Sequence, residues 1–217
     1  MQKKLFAAQK LKGFGDTMKF LFSLSYKDFL PERPKVAEFI TNRVMGEDCD
    51  MMAARFGVSR AAQDEFAVRS HKLAAQAWED GHLAKEVTPV ELAPKFKPID
   101  KDNGVRGDSS IEKVAKLRPA FDKKYGTLTA ANSSFLTDGA AASLIATEEK
   151  AKELGLTPKA EIIDYVFTGQ DLYDELLLGP TYAISEILKR NNLELSDIDV
   201  LEIHEAFAGQ VLANIKP

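Results

Sequence analysis

The residues best placed to do chemistry lie near the C-terminus, in the stretch "VLEIHEAFAGQ". Val200 to Ile203 form a short apolar run of buried-strand type, which delivers His204 and Glu205 into the start of a helix. In open α/β sheets, ligands bind at the carboxyl ends of strands. An imidazole there can donate a hydrogen bond to a developing oxyanion, or hold a water that does. A structural histidine capping the following helix is the competing reading, and these residues alone leave both open. The other reactive candidate is Cys49, the single cysteine. Its surroundings, "GEDCDMM", put Glu47, Asp48 and Asp50 around the thiol. Nearby carboxylates disfavour a thiolate and raise the thiol above its free pKa of about 8.5. A nucleophile needs the opposite setting. One cysteine also excludes an intrachain disulfide and suits a reducing compartment.

Two further stretches have the composition of ligand contacts. "TAANSSFLTDGAAA" is rich in small residues that let backbone approach a ligand, with Ser133 or Ser134 free to hydrogen-bond it. Tight strand packing accounts for the small residues equally well. Arg106 sits in a loop between Gly104 and Gly107. It suits a phosphate or adenine contact, although a lone loop arginine is ordinarily just solvated. His71 and His82 have no second ligand at metal spacing and read as solvated surface histidines.

These residues must be positioned by a soluble α/β framework. The hydrophobic content is 45%, enough for a core, and the net charge of -4 argues against a general nucleic-acid binder. No apolar run approaches the roughly 18–20 residues of a membrane span. "MQKKLFAAQKLKGFG" is a poor secretory signal, which leaves organellar import open. Phe14, Met18, Leu21, Phe22 and Phe29 recur at helical spacing among lysines, as in a helix lying on a membrane or on a partner core. The prolines of "FLPERPKVAEF" then break the helix. From Ser59 as N-cap to Gly81 beyond its C-terminus runs the best helix, with Phe66, Leu73, Ala74, Ala77 and Trp78 sharing a face. Residues 86–110 read as short strands and loops. After them come a buried strand through Leu144 and Ile145, a helix closed by Gly155, and a strand from Ala160 to Phe167. A helix from Thr181 to Arg190 carries an i,i+4 Glu186–Arg190 pair, and a strand from Val200 to Ile203 leads into the last helix. Strands alternating with helices give an α/β layer architecture.

Taken together, "HEAFAGQVLAN", "KLRPAFDKKYGTLTAANSSFLTDGAAA" and "SRAAQDEFAVRSHKLAAQAW" resemble the thiolase family. Within it the chain is most similar to the 3-ketoacyl-CoA thiolases of fatty-acid β-oxidation complexes of the trifunctional type. "KDFLPERPKVAEF" and "LLLGPTYA" fit the same subgroup. The resemblance implies a partial thiolase-like α/β fold. Residues 1–136 would be the loop domain with an amphipathic N-terminal segment. Residues 137–158 would be the last strand and helix of the N-terminal core half, and 159–217 the start of the C-terminal half. It also implies that a cysteine thiolate cleaves a 3-ketoacyl-CoA, releasing acetyl-CoA and passing the acyl group to a second coenzyme A.

In this resemblance His204 falls where most thiolases carry the Asn of an "NEAF" motif, which orients a water in an oxyanion hole. The β-oxidation subgroup has His there. Phe207 corresponds to the aromatic residue lining the pantetheine tunnel, and Met45 to a methionine near the acyl pocket. Arg106 matches an arginine near the adenine, and Ser134 a serine contacting pantetheine. Val44 stands where many thiolases have a histidine, which fits an apolar acyl chain. Coenzyme A would be a substrate, and no cofactor or metal is implied. Partners would be a hydratase/dehydrogenase subunit, a second copy of the full-length chain and a membrane surface, in a bacterial cytoplasm or a mitochondrial matrix. The family's nucleophilic cysteine, its "GHP" histidine and its "CxG" cysteine match nothing in this sequence. The chain is therefore expected to be an internal fragment of such an enzyme and inactive alone. A non-catalytic coenzyme A- or lipid-binding remnant, or a partner-docking one, is the alternative.

Overall fold

The computed structural model describes residues 8–9, 11–25, 28 and 36–216, which fall into two compact units, Met1–Ala37 and Glu38–Pro217. The first unit contains helix α1, Phe14–Phe22, with Asp16 in its first turn and Lys19 in its last, each complementing the helix dipole. No residue of α1 is buried, and Phe14 and Phe22 are largely exposed. Phe29 and the two prolines expected to break the helix lie outside the described residues.

In the second unit, α2 (Met45–Arg55) and α3 (Arg60–Glu79) follow one another closely. The Val44 amide donates to the Glu47 carboxylate at 3.0 Å, which satisfies one orphan donor at the start of α2. Ser59 caps α3 by accepting from the Ala62 amide at 3.1 Å, and Gly81, at φ +74°, takes the left-handed turn beyond it. The sequence predicts an apolar face on α3, but the buried face is Gln63, Asp64, Ala67 and Val68, and Leu73 is half exposed. Gln63 and Asp64 are buried because other buried polar groups hydrogen-bond them, and hydrophobic spacing carries no sign of such a partner.

Residues 86–110 contain an antiparallel hairpin, β1 (Val90–Leu92) with β2 (Lys97–Ile99), pairing Val90 with Ile99. A short helix α4 (Ile111–Val114) follows, then α5 (Glu148–Glu153), capped by Thr147 and closed at Gly155 with φ +65°. Helix α6 (Gly179–Arg190) starts two residues before the expected Thr181, with proline in its first turn. Arg190 does not pair with Glu186. Its guanidinium instead contacts Asp164 at 2.9 Å and donates to the Tyr165 carbonyl at 3.1 Å, so two acceptors on one segment outcompete an exposed i,i+4 pair.

The expected strands at Leu144–Ile145, Ala160–Phe167 and Val200–Ile203 form no ladder among the described residues. Their apolar side chains stand in solvent; Phe167 is 92% exposed and Leu144 79%. A strand exists only by exchanging backbone hydrogen bonds with a neighbour, and none of the described residues supplies that neighbour.

The core sits where α7 (Ala208–Asn214) packs against α2 and α3. Met52, Ala53, Val58, Leu178 and Ala213 form one buried cluster, and Cys49, Leu128 and Phe207 a second. Gly209 allows the helices this close: a Cβ there would lie 3.1 Å from the Gln63 side-chain oxygen and 3.4 Å from the Ala53 Cβ.

Candidate functional site

The site is assembled by a pairing between segments far apart in sequence. Ser133 and Phe207 form an isolated antiparallel bridge. The Ser134 amide donates to the Ala206 carbonyl at 2.8 Å, and the Ala208 amide donates to the Asn132 carbonyl at 3.0 Å. The small-residue stretch and the "HEAFA" stretch are therefore laid side by side.

Buried polar groups hold the first of these segments. The Asn132 oxygen accepts from the Thr129 amide at 2.7 Å, while its nitrogen donates to Asp64 at 3.1 Å and to the Thr127 carbonyl at 3.2 Å. Asp64 in turn is paired with Arg60 at 2.8 Å. Asp50 accepts from the amides of Thr127 at 2.8 Å, Leu128 at 3.0 Å and Asp122 at 3.2 Å. A buried carboxylate with several N–H donors is one of the stronger ways to fix a loop. Neighbouring Asp48 is also buried, and burial pushes its carboxyl up while Arg43, in contact at 2.7 Å, opposes that.

On this frame, Met45, Phe121, Leu177 and Ala206 pack against the Cys49–Leu128–Phe207 cluster. Phe121 meets Phe207 edge-on, with ring centroids 5.9 Å apart at 84°. Gly46 leaves room for the Phe121 ring, which a Cβ would strike at 2.3 Å. Of the residues singled out in the sequence, Met45, Ser134 and Phe207 are thus brought together. Phe207 is buried and Ser134 exposed. His204 is exposed at the edge of the same segment, and its neighbour Glu205 accepts a 2.5 Å hydrogen bond from the Ser70 hydroxyl of α3.

Arg106 reaches the same turn of α3 by another route. Its backbone amide donates to His71 Nδ1 at 3.3 Å, and its exposed guanidinium donates to the Asn103 carbonyl at 2.7 Å. His71 is therefore half-buried and bonded, which corrects the solvated histidine read from the sequence. Burial first, and then the Arg106 charge, hold its pKa below the usual histidine value, while Glu205 pulls the other way. His82 is exposed.

Cys49 is buried, and burial, with Asp50 and Asp48 adding to it, pushes the thiol up to about 12. A thiolate is then only a trace species at neutral pH. A cavity of about 170 Å³ lies along α2, lined by Met51, Met52, Leu176 and Leu177 together with the charged Asp48, Arg55 and Asp174. None of Met45, Arg106, Ser134, His204 and Phe207 lines it. Sequence reasoning missed Ser70, Phe121, Asp50, Asp64 and Asn132 as contributors. Only Asp50 left a signal, since "DCD" puts an acid beside a cysteine that has every reason to be buried.

Family models describe the chain in two parts: the thiolase N-terminal domain matches residues 24–149 and the thiolase C-terminal domain residues 156–217. The mitochondrial trifunctional enzyme subunit beta of Mus musculus is 49% identical over 216 residues, covering 100% of this chain and 45% of that protein. A 3-ketoacyl-CoA thiolase of Pseudoalteromonas atlantica is 49% identical over 208 residues, covering 96% and 48%. The crystal structure of the Bacillus anthracis acetyl-CoA acetyltransferase superposes with a TM-score of 0.78 at 40% identity, covering 82% of this chain and 45% of that one. The chain thus spans a little under half the length of these relatives.

Proposed function

Because this chain belongs to the thiolase family, we propose that it carries one oxyanion-hole position and the coenzyme A contacts of a 3-ketoacyl-CoA thiolase. The whole enzyme would be an acyltransferase of fatty-acid β-oxidation, cleaving a 3-ketoacyl-CoA with coenzyme A to acetyl-CoA and a shortened acyl-CoA. In this reading His204 orients a water toward the developing oxyanion. Phe207 and Ser134 border the pantetheine arm, Met45 the acyl chain, and Arg106 the adenine. Coenzyme A is the substrate, with no resident cofactor. The observation that carries the reading is the pairing of residues 132–134 with 206–208, which supports a single site built from Ser134, Phe207 and the His204 turn.

The division into a loop domain over 1–136, a core strand and helix over 137–158, and the opening of a second core half over 159–217 belongs to the same proposal. So do a second copy and a hydratase/dehydrogenase subunit as partners, contact of the exposed face of α1 with a membrane surface, and residence in a bacterial cytoplasm or mitochondrial matrix. The burial of Cys49 favours a second reading for this chain acting by itself, namely binding of coenzyme A or a partner without turnover.

Calorimetric titration of the purified chain with coenzyme A separates these readings. Saturable binding that weakens roughly tenfold in Arg106→Ala, about 1.4 kcal/mol, supports the site. No heat up to millimolar ligand sinks it. Steady thiolysis of a 3-ketoacyl-CoA by the pure chain would refute the claim that Cys49 supplies no nucleophile.

A further inference from the structure

We propose that Ser70 and His71, consecutive residues on one turn of α3, form a clamp that fixes the His204–Glu205 turn relative to the Arg106 loop, making Ser70 and Glu205 positioning residues for His204. The inference rests on the reading of His204 and Arg106 as contacts to a coenzyme A thioester, and it adds the group that sets the relation between them.

The contacts are long-range in sequence. Ser70 and Glu205 are 135 residues apart, and Arg106 and His71 are 35 apart. A serine inside a helix ordinarily turns back to bond the carbonyl four residues earlier, and alanine would serve the helix better. Ser70 instead points outward and donates to a carboxylate at 2.5 Å. His204 itself makes no hydrogen bond among the described residues, so its place is set by its backbone. Two anchors follow it directly in the chain: the Glu205 side chain held by Ser70, and the backbone of Ala206 and Phe207 paired with Ser134 and Ser133. Loss of the first removes the anchor nearest the imidazole and leaves His204 held only from the Ala206–Phe207 pairing two residues on.

His71 links the second loop. Its Nδ1 accepts the Arg106 amide, so the bond requires a ring unprotonated at that nitrogen. The charged groups facing it are Arg106, which opposes protonation, and Glu205, which favours it. The two loops are therefore joined electrostatically as well as by hydrogen bonds. A carboxylate released from Ser70 changes the field at His71, and a ligand engaging Arg106 changes it from the other side.

The test uses the full chain, whose three histidines, His71, His82 and His204, give separable ring signals in a carbon–proton NMR titration. In Ser70→Ala the clamp predicts a moved His204 signal, a lower His71 midpoint, an unmoved His82 and an unchanged melting temperature. Ser70→Thr restores the wild-type pattern, and Glu205→Gln lowers the His71 midpoint as Ser70→Ala does. Unmoved His71 and His204 signals in Ser70→Ala overturn the proposal, as does a fold loss that Ser70→Thr does not rescue. Coenzyme A is then added to the wild type. Shifts at both His71 and His204, with the His204 shift lost in Ser70→Ala, support clamp and site together. Coupled signals in the free protein that ignore coenzyme A support the clamp and sink the site reading on which its functional meaning rests.

Discussion

The α2–α3–α7 region and the segments around Leu144, Ile163 and Phe167 all carry apolar side chains, yet those side chains end in opposite environments. Cys49, Ala53 and Leu128 are fully buried, whereas Ile163 is 76% exposed and Phe167 92%. A helix satisfies its own backbone and needs only one packed face. A strand needs a second strand before its side chains have a surface to pack on. The first region closes within itself because a buried carboxylate and an amide satisfy the loop amides that α7 covers. In the second, Asp164 accepts from the Tyr165 amide and from Arg190, but no described element covers the apolar side chains beside it.

The largest expected effect is on the hub of the first region. Asp50→Ala strips the acceptor from three amides and should lower unfolding free energy by about 3 kcal/mol in a denaturant titration. Asp50→Asn, which keeps one acceptor oxygen, should cost less. A loss under about 1 kcal/mol would show that these loop amides do not depend on the carboxylate. Next comes Gly126→Ala, whose Cβ would sit 2.4 Å from the Asp122 carbonyl and 2.5 Å from Asp50. Neither neighbour can swing away freely, and a loss of about 2 kcal/mol is expected. An unchanged midpoint would mean the 122–126 turn is looser than its contacts.

A smaller effect comes from pH. His71 has its folded-state pKa held below the ordinary 6.5 by burial and Arg106. The folded state therefore binds fewer protons than the unfolded one, and the contribution is present above 6.5 and lost as pH falls through the lowered value. Stability measured from pH 7.5 down to 5 should decline, and His71→Gln should remove that part of the slope. An identical profile in the variant would dismiss the contact. The smallest effect belongs to the second region. Phe167→Lys should change the unfolding free energy by no more than about 0.5 kcal/mol while reducing self-association in sedimentation. Amides of residues 160–167 should also exchange near their intrinsic rates while those of α2 and α7 stay protected. Strong protection in 160–167 would erase the contrast.

What could be read in advance follows from how far each interaction reaches along the chain. Ser59, Gly81 and Gly155 mark their helix ends as the sequence predicts, because capping is decided within a turn of the backbone. The direction of the Cys49 shift was also legible, since Asp50 and Asp48 are its immediate neighbours, but its main cause, burial, was not. The polar buried face of α3 was not. Gln63 and Asp64 find partners in Thr127 and Asn132, and no periodicity within α3 records them. Phe121 was missed for the same reason: its value lies in the edge it presents to Phe207.

The sequence by itself determined the capped ends of α3 and the close of α5, the unreactive setting of Cys49, and the family through "HEAFAGQVLAN" and "TAANSSFLTDGAAA". Tertiary structure alone decided that Ser134 lies beside Ala206, that Arg190 chooses Asp164 over Glu186, that His71 is held rather than free, and that the apolar runs at 160–167 and 200–203 form no ladder. Caps, local charge and helical spacing are set by residues a few positions apart, where the chain's own geometry fixes the distance. Pairings between distant segments depend on which other surfaces arrive at the same place, and that information exists only once the chain has folded.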